Sequence, residues 1–231
     1  PEEIKRDTIL VTDSPDSLIY SSRFSEDRDT SHLATEFKLI GKTFNAAQFS
    51  RINKTFATTP RTIEATVALP KDAACEGVIV GNLSTDNTPA MSLAVTADRK
   101  VQFIVVSDNG EKATYNFGSK IPTGTPFHIA VALGNDTAVL YLNGSKSETL
   151  ALTLPLPTKA IKGYAIGENG LSNDKYFKGT IYSVNIFGDM RTATEIMHDV
   201  FVVSNNADNL LHSGYYVSKE KTIKEKTFAE N

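Results

Sequence analysis

The ionisable side chains that could catalyse a reaction are dispersed along this sequence. Its histidines show no pair with the i, i+4 spacing of a helical zinc site; they are His32, His128, His198 and His212. There is no Gly-x-Ser-x-Gly motif to expose a nucleophilic serine. Glu64 and Glu168 each lack a carboxylate neighbour in the sequence, and the carboxylates of the charged loop 25–30 are expected to remain solvated. These patterns give no support for hydrolase chemistry.

Composition limits the architecture and the partners. A chain of 231 residues suits one large domain with extensions. Its net charge of −3 argues against nucleic acid as a partner, and no apolar run approaches the roughly 18 residues that would predict a membrane span. Cys75 is the only cysteine, so no internal disulfide is expected. Because the chain begins at Pro1 rather than Met, we expect it to be part of a longer polypeptide.

Short strand patterns bounded by turn residues recur through most of the chain and predict an all-β sandwich or barrel. Before residue 127 they cover residues 18–24, 37–40, 46–49, 62–69, 77–82, 92–96, 101–107 and 113–117. Polar and apolar residues alternate in segment 62–69, so Thr62, Glu64 and Thr66 are expected to face solvent. Segment 127–133 is apolar at both its odd and its even positions, which predicts a central strand covered on both faces.

Turn and capping signals add two hairpins and a helix. The dipeptide Asn109-Gly110 predicts a hairpin, and Asn143-Gly144 suits the positive φ angles of a type I′ turn. Residues 192–195 read Thr-Ala-Thr-Glu, the pattern of a capping box, and predict a short helix.

Two segments carry a resemblance to a known family. Residues 127–144 read FHIAVALGNDTAVLYLNG, and residues 163–195 contain GYAIG, YFKGTIYSVNIF and RTATEI. This wording resembles the laminin-G-like, concanavalin A-like jelly-roll superfamily. The resemblance implies a two-sheet antiparallel jelly-roll β-sandwich with one short C-terminal helix over residues 18–203. Residues 1–17 would then be an N-terminal linker or lead-in strand, and residues 204–231 a C-terminal extension or linker. His128 matches a histidine of the family that has a structural role.

The superfamily is dominated by extracellular binding modules and includes a minority of glycanases. Members that cleave β-glucans carry an E-x-D-x-x-E strand motif, which this sequence lacks. The resemblance therefore implies a non-catalytic module that binds carbohydrate and tethers a larger secreted or cell-surface protein, with a bacterial origin expected from the disulfide-free composition. A protein-binding, adhesive or structural spacer domain is the alternative. A glycan hydrolase or lyase ranks last.

Tyrosines are the candidate sugar-binding residues, because a sugar ring stacks on an aromatic face and the sequence contains no tryptophan. The candidates are Tyr20, Tyr115 with its neighbour Asn116, and Tyr176. Each tyrosine could instead be an ordinary strand residue.

Loop carboxylates and amides raise the question of calcium, since oxygen donors suit Ca²⁺ and lectin-like jelly rolls often bind it. The candidate ligands are Asp86, Asn87, Asn173 and Asp174, with loop 13–16 as a further candidate. The alternative is that these residues only form turns.

Overall fold

A computed structural model describes residues 18–23, 42–44, 50–52, 59–71, 75–84, 89–168 and 176–204. The predicted linker 1–17, nearly all of the predicted extension 204–231, and the strands predicted at 37–40 and 46–49 lie outside these residues. Side chains of residues 18–23, 42–44 and 50–52 are not described.

The described strands form two antiparallel sheets. Their bounds are β1 Leu18–Arg23, β2 Lys42–Phe44, β3 Ser50–Ile52, β4 Thr62–Ala68, β5 Gly77–Ser84, β6 Pro89–Val95, β7 Lys100–Val106, β8 Lys112–Lys120, β9 Phe127–Leu133, β10 Thr137–Leu142, β11 Ser145–Ala151, β12 Ile161–Ile166 and β13 Gly179–Phe187; helix α1 is Ala193–Ser204. The first sheet has the order β1-β13-β4-β9-β10-β11, with β2 also paired to β13, and the second has the order β3-β12-β5-β6-β7-β8. The predicted fold, a two-sheet antiparallel jelly-roll sandwich with one C-terminal helix, is confirmed.

The main core lies between the two sheets. Phe103 of β7 and Phe117 of β8 are fully buried against apolar residues of the first sheet, including Val131 and Leu140. Each such side chain contributes about 1.5–3 kcal/mol relative to leaving it exposed. Strand β9 lies between β4 and β10, and residues 128–133 are all buried. The prediction that this segment is a central strand covered on both faces is confirmed.

The expectation that one face of β4 contacts solvent is wrong. Thr62, Glu64 and Thr66 are each 0% exposed. A second, smaller core lies on this outer face of the first sheet, where Ile196 of α1 packs against residues of β9 and β10; these residues are Ala130, Ala132, Val139 and Tyr141. The segment that leads into α1 lies over β4: Thr62 Oγ1 donates to the Asp189 carbonyl at 2.7 Å, and Arg191 Nη1 lies 3.2 Å from Glu64 Oε1.

Helix α1 begins at the predicted capping box. The Thr192 backbone N–H donates to Glu195 Oε2 at 2.7 Å, and the Glu195 backbone N–H donates to Thr192 Oγ1 at 3.4 Å. Each side chain thus satisfies a backbone donor that the first turn leaves unpaired. The local sequence fixes where the helix starts, and Ile196 fixes which face it buries.

The turn between β10 and β11 gives a test of how closely α1 approaches the sheet. Asn143 and Gly144 have φ angles of 46° and 76°, as a type I′ turn requires, and a Cβ atom on Gly144 would lie 2.6 Å from Met197 Sδ. The control is Gly110, which has a φ of +88° and nothing within 4 Å of the added atom. We expect Gly110→Ala to lower the free energy of unfolding by about 1 kcal/mol through φ strain alone.

Gly144→Ala should lower the free energy of unfolding by more than Gly110→Ala does, because Met197 or the helix must also move. Urea denaturation followed by far-ultraviolet circular dichroism measures both losses. Equal losses in the two variants would show that α1 does not press on this turn.

Candidate functional site

The structure places Tyr115 in the core, so its prediction as an exposed sugar platform is wrong. Its side chain is 6% exposed, and its hydroxyl oxygen accepts hydrogen bonds from the backbone N–H groups of Thr153 at 2.9 Å and Leu154 at 3.2 Å. Alternation along β8 turns Tyr115 inward together with Phe117. Tyr115 therefore anchors the chain that follows β11.

The same alternation exposes Asn116, the neighbour named with Tyr115. Asn116 Oδ1 accepts a hydrogen bond of 2.7 Å from Nε2 of Gln102 on β7. Tyr176 is half-buried and forms an isolated bridge with Val78 of β5. Of the predicted ligand-binding residues, Asn116 and Tyr176 thus belong to the second sheet or adjoin it.

The remaining site predictions lie outside the described residues. Tyr20 is on β1, whose side chains are not described, and the calcium candidates Asp86, Asn87, Asn173, Asp174 and loop 13–16 are likewise not described. Within the described ranges, no group of three or more His, Cys, Asp or Glu residues could hold a metal ion. A calcium site remains a prediction.

Strand register joins Tyr176 and Asn116 through one cross-strand row on the outer face of the second sheet. Val78 pairs with Ala94, Ala94 with Gln102, and Gln102 with Asn116. At about 4.8 Å per strand, Tyr176 and Asn116 stand roughly 19 Å apart. The next row along the strands pairs Ser92 with Ile104, and Ile104 with Thr114.

Exposure rises across this outer face from β5 to β8. Val78 and Ala94 are 2% and 4% exposed, whereas Gln102 is half-buried and Asn116 is exposed. The second row repeats the gradient from buried Ser92, through half-buried Ile104, to exposed Thr114. The accessible part is therefore a strip on the last two strands, which we call the β7–β8 strip; it consists of Gln102, Ile104, Thr114 and Asn116.

The β7–β8 strip is uncharged, and charges lie at its ends. At one end Lys100 and Lys120 are cross-strand partners, and Asp98 Oδ2 lies 3.1 Å from Lys100 Nζ. At the other end Lys112 pairs with Val106. The strip can donate and accept hydrogen bonds and offers aliphatic surface, but none of its four side chains is an acid or a base.

Carboxylates do come close together in another part of the structure, beneath α1. Arg191 Nη1 lies 3.2 Å from Glu64 Oε1 and also donates to Asp199 Oδ2, while His128 Nε2 lies 3.2 Å from Glu64 Oε2. All four side chains are at least 95% buried. Sequence reasoning missed this cluster because β4, β9 and α1 bring together residues far apart in the chain. The four residues are called the Arg191 cluster below.

Burial dominates the ionisation of the Arg191 cluster. It raises the pKa of Glu64, although a hydrogen bond with Asp199 and the charge of Arg191 act in the opposite direction. Burial lowers the pKa of His128 to about 4; Asp199 opposes this shift and Arg191 adds to it. His128 is therefore neutral at pH 7, and its Nδ1 has no hydrogen-bond partner. It is a hydrogen-bonded histidine of the sheet, as the resemblance implies.

The contacts of the Arg191 cluster hold α1 against the first sheet. Arg191 Nη2 donates to the Glu195 carbonyl at 3.1 Å, and its guanidinium lies 4.0 Å from the centroid of the Phe187 ring. The cluster thus ties α1 to the first sheet, and its carboxylates lie beneath that helix rather than at an open surface. Glu168, at the end of β12, is also fully buried.

Comparison with known proteins identifies the family. A model of the concanavalin A-like lectin/glucanases superfamily matches residues 41–197. The chain belongs to the concanavalin A-like lectin/glucanase superfamily. The matched region of this superfamily member contains both sheets' central strands, the β7–β8 strip and the first turn of α1. A comparison with curated protein sequences found no significant match.

Solved structures of other proteins share the fold. Domain 4 of AbnA, a GH43 extracellular arabinanase from Geobacillus stearothermophilus in complex with arabinotriose, is 18% identical with a TM-score of 0.52, over 80% of this chain and 98% of that one. The CBM40 of the Ruminococcus gnavus IT-sialidase, bound to α2,3 sialyllactose, is 14% identical with a TM-score of 0.51, over 71% and 98%.

The botulinum neurotoxin type G receptor-binding domain is 16% identical with a TM-score of 0.56, over 84% of this superfamily member and 54% of that chain. At these identities the likeness shows the fold alone. Among the described residues, no helix has the length and apolar character needed to cross a membrane.

Proposed function

We propose that this superfamily member is a non-catalytic carbohydrate-binding module and that the β7–β8 strip is its binding surface. The observation that carries the proposal is an accessible amide pair: half-buried Gln102 and exposed Asn116 hydrogen-bond to each other at 2.7 Å on the outer face of the second sheet. Amide groups can bond sugar hydroxyls as both donors and acceptors. The structural neighbours from an arabinanase and a sialidase, each solved with a saccharide, support carbohydrate as the ligand class.

The disposition of the carboxylates supports a binding role. Hydrolysis of a glycosidic bond needs two carboxyl groups that flank the bond. Glu64 and Asp199 are instead paired to Arg191 beneath α1, and they are 0% and 2% exposed. A sugar chain on the β7–β8 strip would lie on the opposite side of the sandwich from this cluster.

The proposed context is a larger extracellular or cell-surface protein that the module tethers to its target, with other domains of the same chain as partners. The arabinanase and sialidase neighbours support this, because each is one domain of a larger enzyme. A protein-binding or adhesive role is the alternative, and failure to bind any sugar would favour it.

Alanine substitution in the amide pair tests the proposed surface. We expect Asn116→Ala to weaken binding to the best ligand of a glycan array by about tenfold, because a lost hydrogen bond in a binding site costs about 1–1.5 kcal/mol. Isothermal titration calorimetry measures the change. The control is Asn135→Ala, which removes another exposed asparagine in the turn between β9 and β10 of the first sheet. Equal affinity of the Asn116→Ala variant and the unsubstituted protein for that ligand would place its binding site elsewhere.

A further inference from the structure

We infer that the Gln102–Asn116 pair recognises a vicinal diol of a neutral sugar, an inference that rests on the proposed function of the β7–β8 strip. The mutual hydrogen bond fixes the orientation of both amides, since Gln102 donates and Asn116 accepts. Gln102 then retains its carbonyl oxygen as an acceptor, and Asn116 retains both N–H donors. The two residues are direct cross-strand partners, so their Cβ atoms stand about 4.5–5.5 Å apart.

A vicinal diol presents the complementary pair of groups. One hydroxyl can donate to the free carbonyl of Gln102, while the hydroxyl on the adjacent carbon accepts from Asn116 Nδ2. Because the amides already hold each other, less side-chain entropy is lost when the diol binds. A single isolated hydroxyl would have to donate to one amide and accept from the other through the same oxygen, whereas a diol offers a separate hydroxyl to each amide.

The neighbouring row suits the rest of a sugar ring. Ile104 and Thr114 are cross-strand partners two residues along the strands, about 7 Å from the amide pair. Half-buried Ile104 offers aliphatic surface to the C–H face of a ring, and exposed Thr114 adds a methyl and a hydroxyl group. The β7–β8 strip thus places a polar pair beside an apolar side chain. Pyranose and furanose rings likewise carry polar hydroxyl groups beside apolar C–H groups.

Charge favours a neutral ligand. None of the four residues of the strip is charged, and Lys100 beyond its end already has Asp98 at 3.1 Å. Glu148 of β11 also lies near that end, where its carboxylate accepts hydrogen bonds from the backbone N–H groups of Gly118 at 2.7 Å and Ser119 at 2.6 Å. Lys100 and Lys120 are therefore balanced at that end by Asp98 and Glu148, and although Lys112 lies beyond the other end, none of the four residues of the strip itself can pair with the carboxylate of an acidic sugar.

Periodate oxidation supplies the test, because it cleaves vicinal diols. The neutral polysaccharides arabinan, galactan, xylan and dextran and the acidic polysaccharide polygalacturonan are each titrated in native form and after periodate oxidation and borohydride reduction, against the unsubstituted protein and the Asn116→Ala variant. We expect at least one native polysaccharide to bind and its oxidised form to bind at least tenfold more weakly. In the Asn116→Ala variant, oxidation should weaken binding by only about twofold or less, because the amide that recognises the diol is already absent.

The outcomes separate this inference from the proposed function. An equal loss on oxidation in both proteins, no loss on oxidation, or binding confined to acidic polysaccharides would overturn diol recognition while leaving a carbohydrate-binding module. Absence of binding to any polysaccharide, neutral or acidic, would overturn both.

Discussion

Replacing Arg191 with methionine should lower the free energy of unfolding by about 3–5 kcal/mol. The variant keeps a long aliphatic side chain over Phe187 but removes the charge that lies between Glu64 and Asp199. Two buried carboxyl groups would then face each other without a cation. Breaking a buried ion pair by removing one partner leaves an uncompensated charge, which is why the expected cost greatly exceeds that of a surface ion pair.

The matched control is Arg61→Met. Arg61 is a partly exposed arginine whose Nη1 donates to the Gly134 carbonyl at 3.3 Å and to Asn135 Oδ1 at 3.4 Å, and it forms no ion pair with a carboxylate of the described residues. We expect this variant to lose less than about 1 kcal/mol. Urea denaturation can be followed by tyrosine fluorescence, because the chain has 8 tyrosines and no tryptophan.

A double variant keeps the Arg191 experiment decisive if Arg191→Met proves too unstable to purify. Glu64→Gln removes one of the two facing carboxyl groups while preserving its shape, so Glu64→Gln with Arg191→Met should recover part of the loss. Equal stability of the Arg191→Met and Arg61→Met variants would contradict the role assigned to the Arg191 cluster. The sugar binding proposed for the β7–β8 strip should not change in the folded fraction, because the cluster and the strip lie on opposite faces of the sandwich.

Local signals in the sequence predicted much of the fold. The apolar segment of β9, the Asn143-Gly144 turn and the Thr192–Glu195 capping box each depend on residues a few positions apart, and the structure contains all three. Strand β11 gave no such signal. It is an edge strand with exposed or half-buried side chains throughout, so its sequence lacks the alternation that marks a half-buried strand.

Long-range packing explains what the sequence could not predict. Glu64 lies in a polar and apolar alternation that is typical of a strand with one wet face, yet Arg191 reaches it across 127 positions in the chain. Tyr115 and Asn116 are adjacent in the sequence, but only the register of β8 decides that the first is buried and the second exposed. Asn116 was therefore a candidate from the sequence, and Asn109-Gly110 predicted the hairpin of β7 and β8, but only the register of that hairpin pairs Gln102 with Asn116.

Acidification should destabilise the domain through His128. Its pKa is about 4 in the folded protein and 6.5 in an unperturbed histidine, so the folded state holds it neutral where the unfolded chain would protonate it. A depressed histidine pKa contributes stability that is present above pH 6.5 and is lost as the pH falls towards 4. At 1.36 kcal/mol per pH unit, the loss reaches about 3 kcal/mol.

His128→Gln isolates this contribution. Glutamine can place an amide N–H near Glu64 Oε2, where His128 Nε2 lies at 3.2 Å, but it does not titrate. The other groups around His128 are Glu64 on β4, Arg191 before α1, and Asp199 and Glu195 on the helix. Glu64 has a raised pKa, so its contribution is present at low pH and is lost as the pH rises through its folded value, which opposes the effect of His128.

The quantity to measure is therefore the difference between the two proteins. Urea unfolding of the unsubstituted protein and of His128→Gln at half-unit steps from pH 7 to pH 4 gives the two stability curves, and the remaining ionisable groups are common to both. The unsubstituted protein should lose about 3 kcal/mol more than the variant over this range, with most of the divergence below pH 6.5. Parallel curves would mean that the pKa of His128 is the same in the folded and the unfolded chain. That result is incompatible with a neutral imidazole buried between β4 and α1.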